Sequence, residues 1–139
     1  MTDQSTLNLL GLARRGGNLV LGEEPVGECC RLHKAKAVFL ACDAGDTICR
    51  RAQRMAEGGN APLVNLPWSK EKLGAAMGRS SCALLALTDQ GLASAVVGRL
   101  ARGDESLLEL ARSMSEKTKR QTERREQKKN LRAKKPEKP

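Results

Sequence analysis

The sequence predicts an α/β fold: a three-layer α/β/α sandwich with a four-stranded central sheet, followed by a basic C-terminal extension. Two short, unbroken apolar runs, residues 37–41 and 82–87, have the composition of strands that are buried on both faces. Segments with helical periodicity alternate with these runs and with two weaker strand candidates. The alternation places helices on both faces of one sheet, and 139 residues suffice for one such domain.

The individual elements follow from local patterns. The weaker strands are residues 19–21 and 63–66, which are apolar and bounded by Gly, Asn or Pro. Apolar residues at helical spacing predict five helices, at residues 5–15, 23–32, 47–57, 70–77 and 90–101. Candidate N-caps are Asp46 or Thr47, Ser69, and Thr88 or Asp89, and candidate helix ends are Gly58 and Gly103.

Residues 104–139 form a predicted extension that is separate from a domain at residues 1–103. An amphipathic pattern up to Met114 predicts one more helix. Residues 115–131 favour a helix by propensity alone, but they have no apolar face. We therefore expect a largely disordered tail that is mobile without a partner, with residues 134–139 disordered.

The positive charge of the chain is concentrated in this tail. Residues 115–139 hold 11 Lys or Arg against 4 Asp or Glu, which accounts for +7 of the formal net charge of +9. Such a segment favours a polyanionic partner, because basic side chains displace counterions from phosphates, but it selects no particular sequence. The predicted phosphate contacts of the tail are Lys119, Arg120, Arg124, Arg125, Lys128, Lys129 and Arg132.

The sequence contains no convincing catalytic, metal or cofactor site. Its five cysteines are an odd number without C-x-x-C spacing, which indicates reduced and mostly buried thiols. Cys29 and His33 are spaced i, i+4 on one predicted helix, so a thiolate–imidazole pair is geometrically possible. No other catalytic motif accompanies them, and we expect His33 at the surface near a helix end. The prediction is a protein that is not an enzyme and binds no cofactor.

The lack of targeting or membrane segments and the low aromatic content restrict the localisation of the protein and the modes of nucleic-acid binding open to it. The N-terminal residues do not form a basic start followed by an apolar run, and no apolar run approaches the roughly 18 residues that span a bilayer. We expect a cytoplasmic protein without membrane contact. Phe39 and Trp68 are the aromatic residues, which argues against recognition by stacking bases on an aromatic platform.

The first candidate binding site spans the end of the first helix and the start of the second. Gly22 permits close approach to the backbone, and the first turn of the following helix has unpaired N–H donors. Two carboxylates follow Gly22, and they either accept hydrogen bonds from the edge of a base or only complement the helix dipole. The candidate residues are Arg14, Arg15, Gly17, Asn18, Gly22, Glu23, Glu24 and Pro25.

The second candidate site is the segment between a short helix and the last strand. Arg79, Ser80 and Ser81 follow the predicted helix end at Gly78. They either contact phosphates and ribose 2′-hydroxyls or form a solvated helix cap. Composition alone leaves both interpretations open.

Five segments, taken in order, carry a resemblance to a known family. They are residues 9–17 (LLGLARRGG), 22–23 (GE), 34–43 (KAKAVFLACD), 73–74 (LG) and 87–93 (LTDQGLA). Together they resemble the ribosomal protein L-seven-Ae family, in particular its small bacterial YlxQ-type branch. The resemblance spans roughly residues 5–97 and does not include the tail.

The resemblance implies a protein that binds kink-turn RNA, a sharply bent internal loop closed by sheared G·A pairs. It implies that the helix after the first strand enters the RNA major groove from its N-terminus. On this basis Gly22, Glu23, Glu24 and Pro25 form a guanine-reading turn. The segment Arg79–Ser80–Ser81 forms a loop that covers extruded bases.

The chain also departs from the family pattern. Many relatives have a Gly-x-Asn-Glu turn with a Lys three residues after that Glu, where this chain has Glu24, Pro25 and Glu28. Asn18 occupies the position of a usual basic residue. The resemblance thus implies fewer RNA contacts at this turn, and tail contacts with phosphate are available to compensate.

The predicted partner is structured RNA, ribosomal or otherwise kinked, with association with the ribosome as a further expectation. The default oligomeric state is a monomer. The alternative is a ribosome-associated protein-interaction module whose tail alone contacts RNA.

Overall fold

The computed structural model describes residues 4–133, with side chains up to Asn130. Its centre is a four-stranded sheet in which β1 and β2 flank β4, and β3 forms the edge beside β2. The pairs β1–β4 and β4–β2 are antiparallel, whereas β2–β3 is parallel. The strands are β1 (Leu19–Leu21), β2 (Ala37–Leu40), β3 (Leu63–Asn65) and β4 (Leu84–Leu87).

Helices cover both faces of this sheet. They are α1 (Gln4–Arg15), α2 (Glu23–Arg31), α3 (Asp46–Gly58), α4 (Lys70–Met77), α5 (Gln90–Ala101) and α6 (Leu108–Ala133), with a 3₁₀ turn at Glu105–Leu107 before α6. Side chains alternate across the strands, so that Phe39 and Leu85 pack with α1, α4 and α5. Val38 and Ala86 pack on the opposite face with α2 and α3. The three-layer α/β/α sandwich and its four strands are therefore confirmed.

The ends of several elements differ from the predictions. Helix α3 has Gly45 as its N-cap, without a side-chain hydrogen bond, so neither Asp46 nor Thr47 is the cap. Ser69 and Asp89 do cap α4 and α5, since their side chains accept from the backbone N–H groups of Lys72 and Leu92. Helix α3 includes Gly58 and has Gly59 as its C-cap, one residue later than predicted, whereas Gly103 directly follows Arg102, the C-cap of α5.

The last strand begins later than its apolar composition indicates. Strand β4 starts at Leu84, so Cys82 and Ala83 belong to the preceding loop. The N–H of Cys82 donates to the carbonyl of Lys70 at 2.8 Å instead of joining the ladder. This bond ties the loop to the first turn of α4.

The C-terminal extension is helical as far as it is described. Residues 115–133 continue α6, which corresponds to the helix favoured by propensity. Met114 is buried, whereas residues 119–130 are all exposed. The expected disorder of residues 134–139 lies outside the described residues. None of the helices between residues 4 and 133 has the length and hydropathy of a transmembrane span.

Candidate functional site

A cleft with a volume of about 160 Å³ lies at one end of the sheet. The start of α2 forms one wall and the loop before β4 forms the other. Its lining residues are Leu21, Gly22, Glu23, Ile48, Arg79, Ser81, Cys82, Ala83 and Leu84. The structure thus brings together residues from both sites predicted from the sequence.

The Gly22 turn places the N-terminus of α2 at this cleft. Gly22 has φ 92° and ψ 164°, a conformation that residues with a Cβ rarely adopt. Its N–H donates to the carbonyl of Leu84 at 3.0 Å, and its carbonyl accepts from Val26 at 3.1 Å. These bonds fix the chain between β1 and α2. Because Gly22 offers no side-chain cap, the first-turn N–H groups remain available to an acceptor.

Glu23 is oriented by a cation that the sequence analysis did not identify. Nη1 of Arg51, in α3, lies 2.6 Å from Oε2 of Glu23. The Arg51 side chain is 56% exposed and that of Glu23 is 33% exposed, so both can also reach a ligand. Glu24 and Pro25 are exposed in the same first turn of α2. Ile48 is a second residue of α3 that lines the cleft.

The loop of the opposite wall is held by close backbone packing on α4. The N–H of Arg79 donates to the carbonyl of Gly74 at 2.7 Å, and Gly78 ends α4 in the left-handed conformation. A Cβ added at Gly74 would lie 2.6 Å from the backbone N and Cα of Ser81. Gly74 therefore allows the loop to cross the helix directly. Arg79, Ser80 and Ser81 are all exposed above this crossing.

A third cation lies beside the loop. Nη1 of Arg14 donates to the carbonyl of Met77 at the end of α4. Burial raises the pKa of the Cys82 thiol, and the charges of Arg79 and Arg14 oppose that shift. Both guanidinium groups are thus close enough to act electrostatically on a residue that lines the cleft. Positive charge at this wall favours an anionic ligand.

Asp43 contributes to the site indirectly. Its Oδ1 accepts from the N–H of Lys70 at 2.8 Å, next to the bond between Ser69 and Lys72 at 3.2 Å. These two side chains satisfy N–H groups at the start of α4. They hold the helix from which the Arg79 loop emerges.

Three predicted residues lie away from the cleft. The carbonyl of Asn18 accepts from Thr88 at 2.9 Å, at the end of β1 opposite Gly22. Gly17 is exposed in the same turn. Arg15 is exposed and lines a different groove, between α1 and α4. The strand-to-strand register therefore divides the first predicted site into two parts.

The predicted tail contacts lie on α6 and do not line the cleft. Lys119, Arg120, Arg124, Arg125, Lys128 and Lys129 are exposed, and the side chain of Arg132 lies outside the described residues. They present basic groups at the surface, as expected of phosphate contacts.

The cysteine and histidine pair does not have the environment of a nucleophile. Cys29 is buried in the core between the sheet, α2 and α3, and burial raises the pKa of its thiol. The nearby charges of Lys34 and Lys36 counter this shift without reversing it. His33 is exposed just beyond the end of α2. Within residues 4–133, no cluster of His, Cys, Asp and Glu could hold a metal ion.

The family model described as the Ribosomal protein L7Ae/L30e/S12e/Gadd45 family matches residues 4–97. The chain belongs to this family. The matched residues include both walls of the cleft and end before α6. The match to the family therefore covers the sandwich and does not extend to α6. The resemblance inferred from the five sequence segments is confirmed.

Two relatives share this part of the chain. The RNA-binding protein YlxQ of Bacillus subtilis (strain 168) is 30% identical over 100 residues, which cover 72% of this chain and 99% of the relative. The RNA-binding protein YlxQ of Enterococcus faecium is 36% identical over 63 residues, which cover 45% of this chain and 61% of the relative. The similarity to YlxQ-type proteins extends over nearly the whole Bacillus relative.

Solved structures of similar chains support the same fold. A protein of unknown function from Bacillus halodurans C has a TM-score of 0.64 and 25% identity, covering 70% of this chain and 97% of that chain. The 15.5kD RNA binding protein of Giardia lamblia has a TM-score of 0.57 and 21% identity, covering 78% and 94%. At that identity, the second similarity concerns the fold alone.

Proposed function

We propose that this protein is a non-catalytic RNA-binding protein that recognises kinked, structured RNA of the kink-turn type. The observation that carries the proposal is the cleft between the Gly22 turn and the loop at Arg79 and Ser81. These segments are distant in sequence, and the family resemblance assigns RNA contacts to both. Membership of the family and similarity to two proteins named as RNA-binding support the proposal.

The chemistry of the two walls suits a bent nucleic acid. The first turn of α2 supplies N–H donors, and Glu23 and Glu24 supply acceptors for the amino and imino groups of a guanine edge. On the other wall, Arg79, Ser80 and Ser81 supply donors for phosphate and the 2′-hydroxyl. In this arrangement α2 enters the groove, and the Arg79 loop covers bases that the bend extrudes.

The basic side chains around the cleft provide attraction without sequence selectivity. Arg51 is paired with Glu23 and Arg14 lies at the end of α4, while further cations lie on α6. Phosphate contacts position a nucleic acid, whereas base contacts distinguish one sequence from another. We therefore assign selectivity to the cleft and additional affinity to α6. The proposal includes a cytoplasmic monomer without a cofactor, associated with the ribosome if its RNA is ribosomal.

The first test is the double substitution Glu24→Ala with Arg79→Ala. It removes Arg79 from one wall and Glu24, which is exposed in the first turn of α2, beside the other, and each discriminating contact is worth about 1–3 kcal/mol. We expect the preference for a kink-turn hairpin over a straight duplex of equal length to fall at least about tenfold. The matched control is Arg102→Ala with Glu109→Ala, two exposed residues outside the cleft. Equal preferences in the test and control variants, both folded by circular dichroism, would refute the site.

The second test is deletion of residues 115–139. We expect the shortened chain to retain its preference for the kinked RNA, with a shallower dependence of log K on log salt. The slope should change by about 0.7–0.9 for each phosphate contact removed. If all RNA binding disappears, the body is a protein-interaction module and the tail alone contacts RNA.

A further inference from the structure

A second basic groove, here called the α6 groove, lies where α6 crosses the end of the sheet opposite the cleft. Its volume is about 280 Å³. Its lining residues are Lys36, Gln90, Lys117, Arg120, Gln121 and Arg124. Four of these six side chains are cations, and the other two are amides that can donate and accept hydrogen bonds.

The α6 groove is built from the body as well as from the tail. Lys36 precedes β2, and its N–H donates to the carbonyl of Leu87 at 2.7 Å. Gln90, in the first turn of α5, donates through Nε2 to the carbonyl of Met114 at 3.4 Å. Met114 itself is buried, so this part of α6 is packed on the sandwich. The spacing of Lys117, Arg120 and Arg124 is i, i+3, i+7, which places them on one helix face.

Among the residues that the structure describes, the cations of the α6 groove form no ion pair. No Asp or Glu is among its lining residues, and the two ion pairs between described side chains, Arg31–Glu28 and Arg51–Glu23, lie elsewhere. Four positive groups that converge on one groove repel one another. A polyanion removes this repulsion and releases its own counterions on binding.

The groove and the cleft lie at opposite ends of the same strands. Gly22 bonds to Leu84 at the start of β4, whereas the bond of Lys36 is to Leu87 at its end. At about 3.4 Å per residue, these backbone positions are about 10 Å apart. An RNA that contacts both sites must therefore run along the direction of the strands.

We propose that the α6 groove is a second RNA site, which binds the phosphate backbone of a helical stem without reading its bases. The inference rests on the proposed function in that the ligand is RNA, but it does not depend on recognition of a kink. It assigns Lys36, a residue of the body, and a defined face of α6 to phosphate binding. A tail that made only nonspecific contacts would not involve Lys36.

The test measures binding of the full chain to a straight duplex RNA hairpin as a function of salt. Arg120→Gln with Arg124→Gln removes two groove cations, and we expect the slope of log K against log salt to shrink by about 1.5–2. Lys36→Gln should reduce it by about 1, and Lys36→Arg should keep the wild-type slope. The matched control is Arg102→Gln with Arg112→Gln, which also removes two exposed arginines but lies outside the groove.

The outcomes separate this inference from the proposed function. The groove variants should retain the preference for kinked over straight RNA, since that ratio reports on the cleft. If wild-type protein lacks that preference but the groove variants lose slope as expected, the kink-turn proposal fails and the groove stands. Equal slopes for the groove and control double variants, an unchanged slope in folded Lys36→Gln, or no binding of duplex RNA by the full chain would overturn the inference.

Discussion

Gly74 shows how a single residue positions the candidate site. The backbone of Ser81 passes so close to α4 that a Cβ at Gly74 would lie 2.6 Å from it. We expect Gly74→Ala to lower the free energy of unfolding by about 1–3 kcal/mol, because overpacking must displace the loop backbone. The same substitution should reduce the preference for kinked RNA. Urea denaturation and RNA titration measure the two effects.

The matched control for this substitution is Gly98→Ala in α5. A Cβ at Gly98 would have no heavy atom within 4 Å, so the substitution adds helix propensity without a clash. It should stabilise the protein by about 0.5–1 kcal/mol. If both variants are stabilised alike, the close crossing of loop and helix is not a constraint.

A substitution in the ion pair between Arg51 and Glu23 can distinguish a role in RNA binding from a role in folding stability. Ion pairs at this exposure contribute at most about 1 kcal/mol to folding, because solvent screens them. We therefore expect Arg51→Gln to change the free energy of unfolding by less than about 1 kcal/mol, yet to weaken affinity for the kinked RNA. The control is Arg54→Gln, an exposed residue of the same helix outside the cleft. Equal affinities in the two variants would show that Arg51 does not contact RNA.

Among the helices and strands, α6 consists of two parts that differ in composition. Its first part packs on α5 through Leu110, Ala111 and the buried Met114, whereas residues 119–130 are all exposed and bury no apolar side chain. A helix of that length without tertiary packing is marginal in water. The structure thus supports one anchored half of α6 and one half that depends on propensity alone.

Hydrogen exchange provides a test of this division. We expect amides at residues 110–118 to be protected and those at 125–130 to exchange rapidly in the free protein. Met114→Ala should destabilise the fold by about 2–5 kcal/mol, since it leaves a cavity under the helix. The comparison is Lys128→Ala, which should leave stability unchanged. Equal protection along the whole of α6 would contradict the division.

At the scale of the whole molecule, three buried thiols couple stability to alkaline pH. Burial raises the pKa of Cys29, Cys30 and Cys82 above their ordinary value of 9.0. Below pH 9.0 these thiols are neutral in both the folded and the unfolded state. Above pH 9.0 the thiols of the unfolded chain lose their protons first, because their pKa is lower than in the folded protein. The stability that these buried, neutral thiols contribute is therefore lost as pH rises through the folded pKa values.

We therefore expect the free energy of unfolding to fall as pH rises above about 9.0. The chain has no Tyr, so no phenol contributes in this range. Urea denaturation at several pH values measures the decline, with reductant present throughout. Cys82→Ala should make the pH dependence shallower, and an equal dependence in that variant would show that Cys82 does not contribute.

The layers of this protein follow from local sequence patterns. The runs that became β2 and β4 are apolar at every position, and only a strand covered on both faces buries such a run. Helix α4 and β1 have the predicted ends, because local signals such as the Ser69 cap act within one turn. The two walls of the cleft were also identifiable, as segments with unusual backbone or polar composition.

Which of these residues come into contact depends on how distant segments pack together. Arg51 and Ile48 reach the cleft because α3 packs beside α2 on the same face of the sheet, and no local pattern in α3 indicates this contact. Likewise, strand register places Asn18 at the far end of β1 from Gly22, although the two are close in sequence. Lys36 lines the same groove as residues of α6, although they are far apart in sequence. Local patterns report backbone conformation and burial, whereas the composition of a site depends on contacts between distant segments.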